Sequence, residues 1–159
     1  MSRKDWLHNS RGEWYVIGQA VLILAVLFAP KLDGRAASWF DIAVIAGGAL
    51  CLVGLGFVLL GSFGLGRNNL SAFPKPRDNS TLVTSGIFSI VRHPIYSGFI
   101  FLTFGWSLIW GSVAAFVAAL ALLIFFDLKA RREERWLEAK FSGYAAYKQR
   151  IKKLIPFVY

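Results

Sequence analysis

The longest uncharged run of the sequence extends from Ile95 to Phe126. As one α-helix it would be about 48 Å long, at about 1.5 Å per residue, which exceeds a hydrocarbon core of about 30 Å. A glycine-serine pair at residues 111–112 lies near its centre and is typical of a turn. We therefore expect a helical hairpin of two short membrane-spanning arms, residues 96–110 and 112–126.

Two more apolar segments precede this hairpin, at residues 14–29 and 42–65. With 56% hydrophobic and only 17% charged residues, the composition excludes an ordinary soluble domain. The charged stretch after Phe126 reads as a helix that leaves the membrane, followed by a shorter helix from Tyr144 to Lys153. The sequence predicts an all-α integral membrane protein, one domain of residues 1–159 with about four transmembrane helices and a cytoplasmic helical tail.

Glycines recur at every seventh position of the second span, at Gly47, Gly54 and Gly61. This spacing places them on one helical face, where small residues allow another helix to approach closely in lipid. Cys51 lies in the same segment and is the single cysteine of the chain, so it forms no disulfide within it. We interpret the glycines and the cysteine as packing residues.

The basic residues follow the ends of the predicted spans. Of the 18 lysines and arginines, two lie between the first and second spans and none lies in the hairpin turn. The other sixteen fall on the opposite side, so the positive-inside rule places both termini and residues 66–94 in the cytoplasm. The net charge of +9 then indicates contact with membrane lipids, and we expect no nucleic-acid partner.

The segment from Ser80 to Gly98 contains Arg92 and His93 directly before Pro94. Proline moves the preceding residue out of the α region and is favoured at the first position of a helix. An imidazole and a guanidinium would thus lie at a helix N-terminus, which favours an anion. The structural alternative is that Arg92 reaches lipid phosphates while Pro94 begins a membrane helix.

The topology brings a second group of charges, in the tail, to the same membrane face. Glu133 and Glu134 are adjacent acids in a basic helix. Glu133 has Lys129 four residues earlier as a helix partner, whereas Glu134 has no basic residue four positions away. We expect Glu134 to be the less neutralised and to meet a cationic group, unless both acids form a solvated, salt-bridged face.

Three groups of residues resemble the isoprenylcysteine carboxyl methyltransferase family, part of a wider group of membrane methyltransferases that includes phospholipid N-methyltransferases. The resemblance covers roughly residues 81–157, and the first two spans match only in character. It is carried by Leu82-Val83-Thr84-Ser85-Gly86, by Arg92-His93-Pro94-Ile95-Tyr96-Ser97-Gly98, and by Glu133, Glu134, Leu137, Phe141, Tyr144, Tyr147 and Ile155-Pro156-Phe157.

This resemblance implies an S-adenosylmethionine site in two regions, about 80–98 and 127–157. The contacts implied by position are Thr81, Leu82, Val83, Phe88, His93, Pro94, Ile95, Tyr96 and Glu134, with Phe88 replacing a usual tyrosine. From the local chemistry, Arg92 and His93 suit the carboxylate of this cofactor and Glu134 suits its ammonium. Lys129 falls near the basic residue that meets a prenylcysteine carboxylate in the namesake enzymes, which carry arginine there; lysine cannot make the same planar contact.

The sequence thus predicts methyl transfer from S-adenosylmethionine to a lipophilic or lipid-attached acceptor at the cytoplasmic membrane face. No catalytic residue and no metal ligand is assigned. One alternative is a membrane reductase that binds a nicotinamide cofactor, since sterol reductases resemble the same half of the chain. The other is a non-catalytic membrane scaffold or lipid-binding protein. The acceptor and the oligomeric state are left open.

Overall fold

The computed structural model describes residues 12–31, 37–71 and 73–159, and this part of the chain forms helices. Residues 1–11 and residues 32–36 of the connection after the first span lie outside these ranges. The helices are α1 (Glu13–Leu27), α2 (Ala37–Asn69), a 3₁₀ turn (Gly86–Ser89), α3 (Pro94–Trp110), α4 (Val113–Lys140) and α5 (Tyr144–Arg150). The all-helical prediction is confirmed for the described residues.

The glycine face of α2 packs directly against α3, as the heptad spacing predicts. A Cβ atom on Gly54 would lie 2.7 Å from the carbonyl oxygen of Gly98, and one on Gly47 would lie 2.6 Å from that of Gly105. Cys51 lies in the same interface, and its Sγ is 3.7 Å from the carbonyl oxygen of Leu102. The two backbones approach so closely that a side chain at these glycines has no space.

The hairpin of α3 and α4 turns at the predicted glycine-serine pair. Gly111 ends α3 with a left-handed backbone (φ 72°, ψ 29°), which glycine adopts without steric cost. Ser112 caps α4, because its Oγ accepts a hydrogen bond from the amide of Ala115 at 3.1 Å. The predicted second arm ended at Phe126, but α4 continues as one helix to Lys140.

Among the described residues, two helical segments are long and apolar enough to cross a membrane, Asp41–Arg67 and Val113–Lys140. The first has little of its surface covered by the protein, unlike the core helix of a soluble domain. Helices α1 and α3 are apolar but shorter. These features are those of an integral membrane protein, and α2 leaves helical geometry at Gly66 (φ 70°, ψ 170°), next to the predicted end of the span at Leu65.

The C-terminal segment returns to the start of α3 and is joined to it through the backbone. The amides of Arg92 and His93 donate to the carbonyl oxygens of Lys152 (2.8 Å) and Lys153 (3.1 Å). Ser97 adds a side-chain bond from its Oγ to the carbonyl oxygen of Leu154 at 2.5 Å. The predicted tail is therefore part of the region around His93.

Candidate functional site

Helix α3 begins at Pro94, and His93 before it has a non-helical backbone (φ −121°, ψ 65°), as the sequence predicts. The imidazole of His93 is stacked on the ring of Tyr96, with ring centroids 5.3 Å apart and planes 2° from parallel. Tyr96 in turn is stacked on Phe126 at 4.9 Å. These contacts fix the orientation of the imidazole at the start of the helix.

Arg92 is held by protein groups on most of its donors. Its Nε and Nη2 lie 2.9 Å and 2.8 Å from Oε1 of Glu134. Its Nη1 donates to the carbonyl oxygens of Lys148, at 3.0 Å, and of Ile151. Since a guanidinium has five N–H groups, little capacity is left for the carboxylate of a ligand. The structure thus assigns Arg92 to joining α3, α4 and the C-terminal segment, which corrects its expected role at a cofactor carboxylate.

The expectation that Glu134 is the less neutralised acid is wrong. Its side chain is only 3% exposed and is contacted by Arg92, by Nε2 of His93 at 3.1 Å and by Nζ of Lys148 at 3.3 Å. Helix periodicity did not indicate these partners, because all three lie on other elements. Glu134 does not line either cavity described below, so its carboxylate lies behind the site.

Glu133 is the acid that faces the site. Its side chain is 25% exposed, its Oε2 accepts a hydrogen bond from the hydroxyl of Tyr96 at 2.7 Å, and the same atom lies 3.9 Å from Nδ1 of His93. The interpretation of Glu133 as an ordinary helix-pair residue missed this position. One turn earlier on α4, Lys129 is buried, and its Nζ donates to Oε1 of Gln19 at 2.6 Å.

A cavity of about 430 Å³ opens beside these residues, between α1, α2, α3 and α4. It is called the larger cavity here. Predicted site residues in its lining are Phe88, Arg92, His93, Pro94, Ile95, Tyr96 and Lys129. The lining that sequence reasoning missed consists of Gln19, Val58, Ser62, Leu65, Leu70, Ser71, Phe99 and Glu133. Gln19 is the only amide side chain in the first apolar segment, a signal that could have identified it.

A smaller cavity of about 100 Å³ adjoins the larger one and shares Phe88, Arg92, His93 and Glu133 with it. The predicted residues Thr81, Leu82 and Val83 line only this cavity. Asn69 holds the start of this segment, since its Oδ1 accepts a hydrogen bond from the amide of Thr81 at 2.8 Å. The two cavities together therefore collect every predicted site residue except Glu134.

Two tyrosines of α5 form the wall of the smaller cavity. Tyr147 donates its hydroxyl to the carbonyl oxygen of Phe88 at 2.6 Å, and burial raises the pKa of Tyr147 to about 12. Burial also raises the pKa of Tyr144 well above its ordinary value. The hydroxyl of Tyr144 is buried and has no hydrogen-bond partner among the described residues, so it is a protonated donor that a ligand could satisfy.

The loop that contains Pro74 and Pro76 lines the smaller cavity through these two prolines. Lys140, the last residue of α4, holds this loop, because its Nζ contacts the carbonyl oxygens of Arg77 and Asp78 and the hydroxyl of Ser80.

Within the described ranges, no group of three or more histidine, cysteine, aspartate or glutamate side chains could hold a metal ion.

Several known proteins are similar to this chain. The family model described as phospholipid methyltransferase matches residues 42–143. Protein-S-isoprenylcysteine O-methyltransferase B of Arabidopsis thaliana is 34% identical over 51% of this chain and 42% of its own length. The corresponding protein of Schizosaccharomyces pombe is 30% identical over 65% of this chain and 48% of its own.

A third relative, the cobalt-zinc-cadmium resistance protein CzcN of Cupriavidus metallidurans, is 32% identical over 91% of this chain and 62% of its own length. The chain thus spans about half the length of the curated relatives it matches. Among solved structures, a eukaryotic intramembrane Ras methyltransferase (isoprenylcysteine carboxyl methyltransferase) has the same fold, with a TM-score of 0.54. Sequence identity to it is 22%, over 94% of this chain and 64% of that one.

Proposed function

This chain belongs to the phospholipid methyltransferase family, and on that premise we propose that it transfers a methyl group from S-adenosylmethionine to a lipophilic acceptor at the cytoplasmic membrane face. The observation that carries the proposal is the pair of adjoining cavities that meet at His93 and Glu133. A donor and an acceptor can occupy separate cavities and still meet at one junction. Methyl transfer needs such alignment more than it needs a reactive protein group.

We assign the cofactor to the smaller cavity together with the adjoining part of the larger one, because about 100 Å³ alone is too small for a molecule of this size. S-adenosylmethionine supplies a methyl group on a positively charged sulfur, together with an adenine, an ammonium and a carboxylate. Phe88 and the backbone of residues 81–83 offer apolar and amide contacts to a flat base. The unpartnered hydroxyl of Tyr144 is a buried donor for the carboxylate. Glu133, rather than Glu134, lies where a carboxylate can meet the ammonium or the sulfonium.

Glu134 lies behind the residues that line the two cavities. Its bonds to Arg92 and His93 hold two of the residues that both cavities share, and Arg92 in turn holds the carbonyl oxygens of the C-terminal segment. The proposed cofactor contact of Glu134 therefore becomes a positioning role, while Thr81, Leu82, Val83, Phe88, His93, Pro94, Ile95 and Tyr96 remain proposed contacts.

The larger cavity fits an acceptor with an apolar tail. Val58 and Leu65 of α2 and Ile95 and Phe99 of α3 line it, and these helices lie within the apolar part of the chain. Lys129, Gln19 and Glu133 supply the polar end.

We propose four crossings by α1 to α4, with both termini and this site on the cytoplasmic side. The contact of Arg92 with Glu134 supports the placement of both regions on one side, because this pair joins the loop before α3 to the last part of α4.

Calorimetry on the detergent-solubilised protein tests the proposal directly. S-adenosylmethionine should bind with a stoichiometry of about one, and NADPH should not bind, which separates a methyltransferase from a membrane reductase. A scaffold protein should bind neither ligand. Binding of NADPH, or absence of S-adenosylmethionine binding to folded protein, would refute the proposed function.

A further inference from the structure

The charged groups of the larger cavity include one cation and one anion on adjacent turns of α4. Lys129 lies at its polar end with Gln19, and Glu133 follows four residues later with its carboxylate toward Tyr96 and His93. The remaining cation of the lining, Arg92, is paired with Glu134. The polar end of this cavity is therefore close to neutral.

An ionic acceptor is poorly matched to such a cavity. A carboxylate would bring its acceptor oxygen to the carboxylate of Glu133 at the junction, whereas an ammonium would meet the repulsion of Lys129 and has no lone pair with which to accept a methyl group. The ammonium of Lys129 already has an amide oxygen at 2.6 Å and lies 4.9 Å from the centre of the Tyr96 ring. A neutral head group with a proton to lose does not meet either repulsion.

From this arrangement we infer that the acceptor is a lipophilic phenol or thiol and that Glu133 is the catalytic base that removes its proton. This inference rests on the proposed function and names the substrate class of the same site. Glu133 lines both cavities, so its carboxylate is at the junction where the acceptor atom and the methyl group meet. Lys129 stabilises the negative charge that develops on the acceptor oxygen or sulfur.

The step balances without another reactant. The acceptor's O–H or S–H bond breaks and its proton goes to the carboxylate of Glu133. The acceptor oxygen or sulfur forms a bond to the methyl carbon. The bond from that carbon to the sulfonium breaks, and its electron pair remains on the donor's sulfur, which becomes a neutral thioether.

Several charged and titratable groups face Glu133. His93 lies 3.9 Å away and Tyr96 donates to it at 2.7 Å, both from the start of α3. Lys129 lies on its own helix, Arg92 shares both cavity linings, and Tyr144 of α5 lines the smaller cavity with it.

The test uses 4-octylphenol and 4-octylbenzoate, which differ in head group and share the tail. Without any donor, the wild type should bind the phenol at least tenfold more tightly than the benzoate, by calorimetry. With radiolabelled S-adenosylmethionine, the phenol should be methylated. Glu133→Gln should lose more than tenfold of this rate at saturating S-adenosylmethionine, since general bases contribute about 10²–10⁴-fold.

The pH profile separates a base from a structural residue. The residual rate of Glu133→Gln should rise with pH as the phenol ionises by itself, whereas the wild-type profile should be flatter. Glu138→Gln, on an exposed part of the same helix and outside both cavities, should match the wild type. Three results would overturn this inference while leaving the proposed function intact. They are preferential binding or methylation of the benzoate, no phenol methylation by protein that binds S-adenosylmethionine, and a loss below tenfold in Glu133→Gln. If S-adenosylmethionine does not bind the wild type, the proposed function fails with it.

Discussion

The guanidinium of Arg92 lies 2.8 Å from the carboxylate of Glu134, and the two side chains are 7% and 3% exposed. The pair joins residues 42 positions apart, at the start of α3 and in the last part of α4. A buried pair of this kind fixes an arrangement of helices more than it adds stability, because desolvation offsets much of the attraction. Removal of one partner, however, leaves a buried charge without compensation.

Glu134→Gln should therefore destabilise the protein as well as weaken cofactor binding. Loss of one partner of a buried pair costs about 3–5 kcal/mol, measurable as a lower thermal midpoint in detergent. The control is Glu138→Gln one turn later, whose pair with Lys148 is partly exposed and should be worth about 0–1 kcal/mol. Equal midpoints for the two variants would contradict the positioning role of Glu134.

The two tyrosines of α5 should respond in opposite ways to loss of their hydroxyls. Tyr147→Phe removes the 2.6 Å bond to Phe88 and should lower the free energy of unfolding by about 0.5–1.5 kcal/mol. Tyr144→Phe removes a buried hydroxyl that has no partner in the described structure, so the ligand-free protein should keep or gain stability. Its affinity for S-adenosylmethionine should nevertheless fall severalfold. An unchanged affinity, measured by calorimetry, would remove Tyr144 from the proposed site.

The helix prediction succeeded where the pattern is local. Apolar runs and a glycine-serine turn marked α1 to α4, and the heptad of Gly47, Gly54 and Gly61 identified the face of α2 that packs on α3. The span was ended at Phe126 and the charged stretch after it was predicted as a helix that leaves the membrane; the structure joins the two into one helix, Val113–Lys140. A helix continues through such a change in composition, because charged residues such as lysine, glutamate and arginine are good helix formers.

The site was predicted less completely, and for a physical reason. Spacing along one helix shows only partners three or four residues away, so Glu134 looked unpaired although Arg92, His93 and Lys148 from other elements contact it. For the same reason Glu133 looked ordinary although it lines both cavities. The resemblance of residues 81–157 named residues that line the two cavities, but it does not include α1, and Gln19 was therefore missed.

Gly54→Ala should disrupt the contact of α2 with α3. The new methyl carbon would lie 2.7 Å from a carbonyl oxygen and 2.8 Å from the amide nitrogen of Leu102, and backbone cannot move aside cheaply. Overpacking of this kind costs about 1–3 kcal/mol. Gly56→Ala is the matched control, since a Cβ at Gly56 meets no atom within 4 Å. Thermal unfolding of both variants in one detergent gives the comparison, and similar midpoints would refute the close-packing argument.

His93→Ala should weaken S-adenosylmethionine binding by about 10-fold to 100-fold, since a hydrogen bond that involves a charged group is worth about 1.5–3 kcal/mol. His93 is buried and lines both cavities, whereas Arg67 is exposed and lines neither. Arg67→Ala should therefore bind like the wild type. If calorimetry gives the same affinity for both variants, His93 is a structural residue only.

The proposed topology is open to labelling in intact cells. In a chain with Cys51→Ser, a cysteine at Phe157 should be shielded from a membrane-impermeant thiol reagent, because this exposed residue lies on the proposed cytoplasmic side. A cysteine at Lys31, exposed beyond the end of α1, should be labelled. Labelling at residue 157 alone before permeabilisation would show that the orientation is the reverse of the one proposed. Labelling at both residue 31 and residue 157 would refute the four crossings.

The contact of Arg92 with the carbonyl oxygen of Ile151 spans 59 residues and sets an order of events during biosynthesis. When the ribosome has finished the loop before α3, the backbone partners that residues 91–93 have in the C-terminal segment have not yet been made, because they belong to residues 148–153. Insertion of the helices can proceed without them. Closure of the cofactor region is consequently a late step, and a nascent chain arrested before residue 148 should insert its helices and remain unable to retain S-adenosylmethionine.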